Sequence, residues 1–448
     1  MLSDGPFGRW LLSQLEMMPL HVLREGAGRR LQERLIGRIM SEQEAEELYA
    51  LLNCPVGNGN RAATVFLPGI MGSLLASVEG ISALLWLNPT VMLNGHINLL
   101  DLNADGTGDA SPDVRIVPVG IEKLAYLKMI LALAHETRLF EFPYDWRRHL
   151  EWNARLLHEA IDRWSQIDPE RRFVLIGHSM GGMLARTYMA LYPREAERRI
   201  QRLILLGSPL YGSALTILLF RGQTLPAQIV SRLHENNNVV GLAANMPSAY
   251  QLLPPPPEFF PEGRAYPVNW DLYDAREWGV PIVRQDYLDD AKSWHRLVAG
   301  SDPQVPMVQI AGCHRRTLTD VWRSHSDEKE TAGGGGTEGP NLTLVHQQAG
   351  EDSGDNSVPL WSARCEHHGI YYIEEEHQLL PRNSEVIQAT LCLIRGDKPQ
   401  LSQELPQPSG RSGSLRGTSL VEQVAELREH IEAGVLLGED LDRLFFAR

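Results

Sequence analysis

Phe173-Val-Leu-Ile-Gly-His-Ser-Met-Gly-Gly182 is the stretch that decides how this 448-residue chain folds. Its first four residues form an apolar run of the kind that makes a buried strand, and the residues from 182 to 191 carry a helical pattern. Between them, Gly177-His-Ser-Met-Gly181 brackets Ser179 with a glycine on each side. A strand that turns at once into a helix leaves no room for side chains at those two positions. The turn lifts the serine hydroxyl above the sheet edge, at a helix N-terminus whose dipole favours developing negative charge. The pentapeptide alone arises by chance, but in a strand–turn–helix context it marks Ser179 as a candidate nucleophile.

Outward from the elbow, strands alternate with helices. Ala62-Ala-Thr-Val-Phe-Leu67, closed by Pro68-Gly69, reads as a buried strand. Helices are expected over 121–135, 149–164 and 182–191, and strands over 137–142, 173–177 and 203–207. Further strands are expected at 308–311 and 370–373, with a helix over 384–393. This alternation means βαβ units and a mostly parallel central sheet flanked by helices; with an elbow serine, that is the α/β-hydrolase fold. From about 210 to 299 the alternation fails. Leu219-Phe220, Tyr250-Gln-Leu-Leu-Pro254, Phe259-Phe260 and Trp270 fill an irregular, partly helical insertion where a hydrolase carries its cap or lid.

The expected organisation is a helical N-terminal extension over 1–60, a hydrolase domain over 61–397 with a cap insertion at about 210–300, a linker over 398–418 and a C-terminal helix over 419–448. In the extension, Leu31, Leu35, Ile36, Ile39 and Met40 recur at helical spacing, and Ser41-x-x-Glu44 resembles a capping box opening a second helix. Arg24, Arg29, Arg30, Arg34 and Arg38 make the first helix basic, which suits either a membrane-surface anchor or a helix docked on the core with a solvated face. Gly333 to Gly336 lie in an apolar-poor loop over 324–340. Ser419-x-x-Glu422 caps a last helix with Val424, Leu427, Ile431 and Val435 on one side, which either packs on the hydrolase or receives a protein partner.

A serine nucleophile needs a base, itself oriented by an acid, and in this fold the chain order is serine, acid, histidine. Gly354-Asp-Asn-Ser-Val-Pro359 places Asp355 at an expected strand end, and His377 follows the strand 370–373 just before a helix. Asp352 competes for the acid role, and His346, His367 and His368 for the base. The developing oxyanion needs two donors: the N–H of Met180, after the nucleophile, and that of Ile70, in the Gly-bracketed turn Pro68-Gly-Ile-Met-Gly-Ser73.

Composition narrows the field further. A net charge of -14 argues against nucleic acid, because an acidic surface repels phosphate backbones. Four dispersed cysteines (Cys54, Cys313, Cys365, Cys392) are too few for a disulfide scaffold and wrongly spaced for a structural metal. Neither a metal nor another cofactor is expected. The first residues lack a basic region followed by an apolar core, and no apolar run is long enough to span a bilayer, so the cytoplasm, with or without membrane-surface contact, is the expected compartment. Asn341-Leu-Thr343 matches a glycosylation sequon, read as chance in that setting.

Seven blocks in order resemble the lecithin:cholesterol acyltransferase family, which includes lysosomal phospholipase A and phospholipid:diacylglycerol acyltransferases. They are Phe66-Leu-Pro-Gly-Ile-Met-Gly-Ser73, Trp86-Leu-Asn-Pro89, Pro143-Tyr-Asp-Trp-Arg147, Gly177-His-Ser-Met-Gly-Gly182, Gly207-Ser-Pro-Leu-Tyr-Gly-Ser213, Gly354-Asp-Asn-Ser-Val-Pro359 and His377. The resemblance spans 62 to about 395. It implies Ser179 as nucleophile, Asp355 as acid, His377 as base, Ile70 and Met180 as oxyanion donors, a mobile lid, and lipid acyl esters as substrates. Asp145 and Arg147 read as a structural pair near the site. The acid block has GDNSVP where the family often has GDGTVP; the aspartate is kept. The disulfides of secreted members have no counterpart, and both terminal helices lie outside the resemblance. The expected activity is lipase-type hydrolysis, with lipid O-acyl transfer through the same acyl-enzyme as the alternative. The rival readings are an esterase or thioesterase on soluble acyl groups and a catalytically silent scaffold acting through its terminal helices.

Overall fold

The computed structural model describes residues 42–53, 61–80, 83–301, 304–323, 341–364, 369–409 and 419–433, with Asp440 and Leu444. Its strands are β1 (Ala63–Leu67), β2 (Ser73–Gly80), β3 (Ala83–Trp86), β4 (Val114–Ile121), β5 (Arg138–Glu141), β6 (Phe173–His178), β7 (Ile200–Leu206), β8 (Met307–Gly312), β9 (Thr317–Arg323), β10 (Leu342–Gln347) and β11 (Gly369–Ile373). Six of them form one sheet in the order β11-β8-β7-β6-β1-β5, every neighbouring pair parallel.

The central strands are buried on both faces, which is why they read as unbroken apolar runs. Alternate residues feed two separate cores. Val65, Leu67, Phe173, Leu175, Leu203 and Leu205 join one core, while Phe66, Val174, Ile176, Ile204 and Leu206 join the other. Helix α1 (Glu42–Asn53) packs through Ala45, Leu48 and Leu52 on Leu127 and Leu131 of α2 (Lys123–Glu136). Helices α3 (Leu150–Ser165) and α4 (Met180–Leu191) cover one face of the sheet. Helix α2 and the later helix over Ser384–Arg395 cover the other.

Between β7 and β8 the chain makes a long, largely helical excursion. It holds α5 (Leu215–Phe220), α6 (Leu225–Leu233), α7 (Val239–Ala244), α8 (Pro247–Gln251) and α9 (Gln285–Ala299), joined by irregular chain. After β11 come α10 (Ser384–Arg395) and α11 (Leu420–Ala433). Ser419 and Glu422 do form a capping box: the Ser419 amide donates to Glu422 Oε2 at 2.8 Å, and the Glu422 amide to Ser419 Oγ at 3.3 Å. Helix α11 packs on the hydrolase, with Val424, Leu427 and Ile431 buried in the main core.

Three features differ from the sequence expectation. Residues 73–121 hold a three-stranded antiparallel sheet, β3-β2-β4, whose half-polar strands gave no clear period. A hairpin, β9-β10, flanks the expected loop 324–340, which itself lies outside the described residues. The expected linker begins as ordered chain along the sheet edge: Tyr372 N–H donates to Ser402 O at 2.9 Å and the His314 ring bonds Pro406 O at 2.6 Å. That covers β11, an edge otherwise open to pairing. The basic residues Arg24 to Arg38, and Cys54, Cys365, His367, His368 and Val435, also lie outside the described residues. Among the described residues, no helix is long and apolar enough to cross a membrane.

Candidate active site

Ser179 sits between β6 and α4 with φ 52° and ψ -125°, a left-handed backbone that a serine adopts only when its surroundings impose it. Its own amide is tied to Leu206 O at 2.9 Å. The flanking glycines are steric necessities. A Cβ on Gly177 would lie 2.5 Å from Gly182 N, and one on Gly181 would lie 2.2 Å from Leu67 O. Helix α4 begins at Met180, two residues before the expected start, so the Met180 N–H is the first donor of the helix and has no intrahelical acceptor.

The three residues singled out for the triad meet here. His377 Nε2 lies 2.9 Å from Ser179 Oγ, and His377 Nδ1 lies 2.7 Å from Asp355 Oδ2. The carboxylate is 1% exposed, and its other oxygen accepts from the amides of Ser357 at 3.0 Å and Val358 at 2.7 Å. The His377 amide in turn donates to Asp355 O at 2.8 Å. With Nδ1–H held by the carboxylate, Nε2 is left as the ring's acceptor, facing Ser179 Oγ. Asp355 is not at the end of a named strand as expected. The chain leaves β8, runs through the β9-β10 hairpin and returns, so that Asp355 packs over Gly312, where a Cβ would come 2.5 Å from the aspartate's own. Of the competitors, Asp352 is drawn to Arg264 at 3.4 Å, and His346 lies on β10.

The Gly69–Gly72 turn is closed by Gly72 N–H donating to Gly69 O at 3.1 Å, and Ile70 within it lines the pocket. Sequence blocks remote from it act as its braces. Trp86 Nε1 donates to Met71 O at 2.7 Å, Tyr144 Oη to Pro68 O at 2.9 Å, and Trp146 Nε1 to Ser73 O at 3.1 Å. Beneath them, fully buried Arg147 pairs with Asp145 at 2.7 Å, as expected, and with Asp109 at 2.9 Å. The acid loop has its own brace, Ser213 Oγ donating to Ser357 O at 2.7 Å.

Two residues that sequence reasoning passed over tie the parts together. Gly69 N–H donates to Tyr126 Oη at 3.0 Å, and that hydroxyl lies 2.8 Å from His178 Nδ1. His178 Nε2 lies 3.0 Å from His377 O, a pure acceptor, so Nε2 carries the ring proton and Nδ1 accepts from the tyrosine. Burial, with His377 as the second cause, holds the His178 imidazole well below its ordinary range, and burial holds the Tyr126 phenol above its own. His178 was visible inside the elbow motif as a variable position. Tyr126 gave no signal, since an aromatic residue on an apolar helix reads as core.

Above Ser179 opens an apolar cavity of about 280 Å³. Ile70, Ser179 and His377 line it, and the insertion supplies Leu215, Val230 and Leu242. The thiol of Cys313, pushed up to about 12 by burial, is no nucleophile.

Sheet order, elbow and serine–histidine–aspartate geometry together define an α/β-hydrolase. Residues 130–283 match the model of the lecithin:cholesterol acyltransferase family, about a third of the chain. The matched segment covers the Ser179 elbow and most of the insertion; Ile70, Asp355 and His377 lie outside it. No curated protein sequence matches the chain. Among solved structures it is similar to the Tle4-Tli4 complex, with 13% identity and a TM-score of 0.48 over 75% of this chain and 99% of that one. It is also similar to the mature lipase BlEst2 of Bacillus licheniformis, with 13% identity and a TM-score of 0.35 over 76% and 95%. Cfl2 of Burkholderia cenocepacia shows 14% identity and a TM-score of 0.31 over 76% and 89%.

Proposed function

We propose that this chain is a serine hydrolase of lipid acyl esters, with Ser179 as nucleophile, His377 as general base and Asp355 as the acid that orients it. The observation that carries this reading is the continuous chain from Ser179 Oγ to His377 (2.9 Å) to Asp355 (2.7 Å), with Ser179 and His377 lining a hydrocarbon-walled cavity. Ser179 Oγ attacks the acyl carbonyl while its proton passes to His377 Nε2. Asp355 stays ionised and stabilises the imidazolium. The amides of Ile70 and Met180 receive the oxyanion, each worth roughly 3 kcal/mol in comparable sites. As the tetrahedral intermediate collapses, the imidazolium returns its proton to the departing alcohol and leaves an acyl-serine. Water, activated by the same histidine, then releases the carboxylic acid. The apolar lining favours a fatty acyl group over a small soluble one, since each buried methylene contributes about 0.8 kcal/mol.

Hydrolysis of p-nitrophenyl esters from butyrate to palmitate tests this. Turnover should favour the longer chains and fall by about 10⁴-fold or more in Ser179→Ala and His377→Ala. Turnover persisting in Ser179→Ala would refute the mechanism.

A further inference from the structure

The cavity has one wall that the reaction does not use. Leu444 lines it and is 1% exposed, although its segment lies beyond the hydrolase fold and outside every block of family resemblance. The contacts that bring it there form a consistent set. Helix α11 buries Val424, Leu427 and Ile431 against the core it shares with α6. The Arg428 guanidinium donates to the carbonyl of Leu233, the last residue of α6, where a helix C-terminus favours a cation. His430 Nδ1 then bonds Asp440 Oδ2 at 2.8 Å, and the aspartate side chain is 2% exposed. Docking on α6 and the His430–Asp440 bond thus tie α11 and Asp440 to an element that lines the cavity. Leu444 shares the lining with Ala227 and Val230 of α6 and Val239 and Leu242 of α7. Ser179 and Ile70 line the same cavity.

We propose that Leu444 is an acyl-length gauge: its side chain bounds the cavity and sets how long an acyl chain it accepts. The proposal deepens the reading of this site as one for fatty acyl esters and rests on it. An acyl chain entering from the serine end meets the leucine side chain, whose truncation opens space for further methylenes and whose enlargement removes it.

The test compares Leu444→Ala and Leu444→Trp by the ratio of kcat/KM for p-nitrophenyl palmitate to that for the butyrate ester. The ratio should rise by about tenfold in the alanine variant and fall by a similar factor in the tryptophan variant. General damage to the fold moves both variants the same way, so shifts in one direction, or none, overturn the gauge. A second measurement needs no turnover: free fatty acids from hexanoate to palmitate, titrated against Ser179→Ala with each Leu444 substitution. If wild type hydrolyses no ester yet affinity against chain length shifts in opposite directions, the catalytic reading fails and the gauge stands. An unshifted affinity profile in both variants overturns the gauge whatever the catalysis.

Discussion

Replacing Tyr126 with phenylalanine removes one oxygen and tests how the site is held. That oxygen accepts from Gly69 N–H at 3.0 Å and donates to His178 Nδ1 at 2.8 Å. Tyr126 and His178 are each 4% exposed, so water cannot take its place. The ring remains, with its edge-on contacts to Phe66 at 5.4 Å and to His178 at 5.5 Å, so packing is preserved. What is lost is the satisfaction of two buried polar groups, at roughly 1–2 kcal/mol each for neutral partners. The expected destabilisation is about 2–4 kcal/mol, read as a fall in the urea midpoint at unchanged slope. The same bonds position Gly69, the residue before the proposed oxyanion donor Ile70, and the backbone of His377 through His178 Nε2 at 3.0 Å. Loosening both at once should lower kcat on p-nitrophenyl esters by roughly 10–100-fold, the scale for misplacement of about 1 Å. A Tyr126→Phe protein with wild-type midpoint and wild-type kcat would show that the relay holds nothing.

The buried imidazoles make a pH prediction. His178 is held well below its ordinary range and His295 is pushed to about 3, in both cases chiefly by burial. Below about pH 6.5 the unfolded chain binds protons that the folded chain refuses, so stability is complete above that pH and is lost as pH falls, by up to about 1.4 kcal/mol per pH unit per imidazole. Urea unfolding at about pH 7.5 and 5.5 should show that loss, and His295→Gln should flatten it; an equal slope in the variant sinks the assignment. Gly181→Ala places a Cβ 2.2 Å from Leu67 O and 2.5 Å from Pro68 O, both backbone atoms that cannot yield without moving β1, so it should cost about 3 kcal/mol or more. Gly369→Ala, whose nearest neighbour would be Val308 Cγ2 at 3.9 Å, is the matched control and should change stability by under about 1 kcal/mol in the same unfolding assay.

The parallel sheet was legible because its strands are buried on both faces, so Ala63–Leu67 and Phe173–His178 announce themselves as apolar runs regardless of what covers them. The elbow was legible in part for a local reason: Gly177 is demanded by the backbone of Gly181 and Gly182 within one short turn, whereas Gly181 faces Leu67 O and Pro68 O at the end of β1 and is read only through the motif. Where the deciding contact is distant, the signal fades. Ser73–Gly80 and Val114–Ile121 pair across a long excursion, with bulges that break their period. Asp355 was expected at a strand end, yet its place over Gly312 depends on a hairpin whose closure no local pattern announces. Tyr126 and Leu444 carry the same lesson, since each looks like ordinary core until its partner from another part of the chain is known.

Those distant contacts have a physical purpose at the site. Among the described residues, the non-glycine positions with positive φ are Met71, Ser179, His314 and Asn356. Three of them adjoin or form the proposed machinery: Met71 follows the oxyanion turn residue, Ser179 is the nucleophile and Asn356 follows the acid. Backbone of this kind costs on the order of 1–3 kcal/mol per residue and persists only where surrounding structure over-determines it. Each strained position has a bond that does so. Trp86 Nε1 holds Met71 O at 2.7 Å, Leu206 O holds Ser179 N at 2.9 Å, Thr317 Oγ1 holds Asn356 N at 2.9 Å, and Ser353 Oγ holds His314 N at 3.2 Å. The tryptophan block, the sheet and the β9-β10 hairpin therefore serve the serine, the acid and the oxyanion turn by keeping unfavourable backbone in place. A site built this way is set before substrate arrives, so under the proposed function the binding free energy of an acyl chain would remain available to align the ester against Ser179.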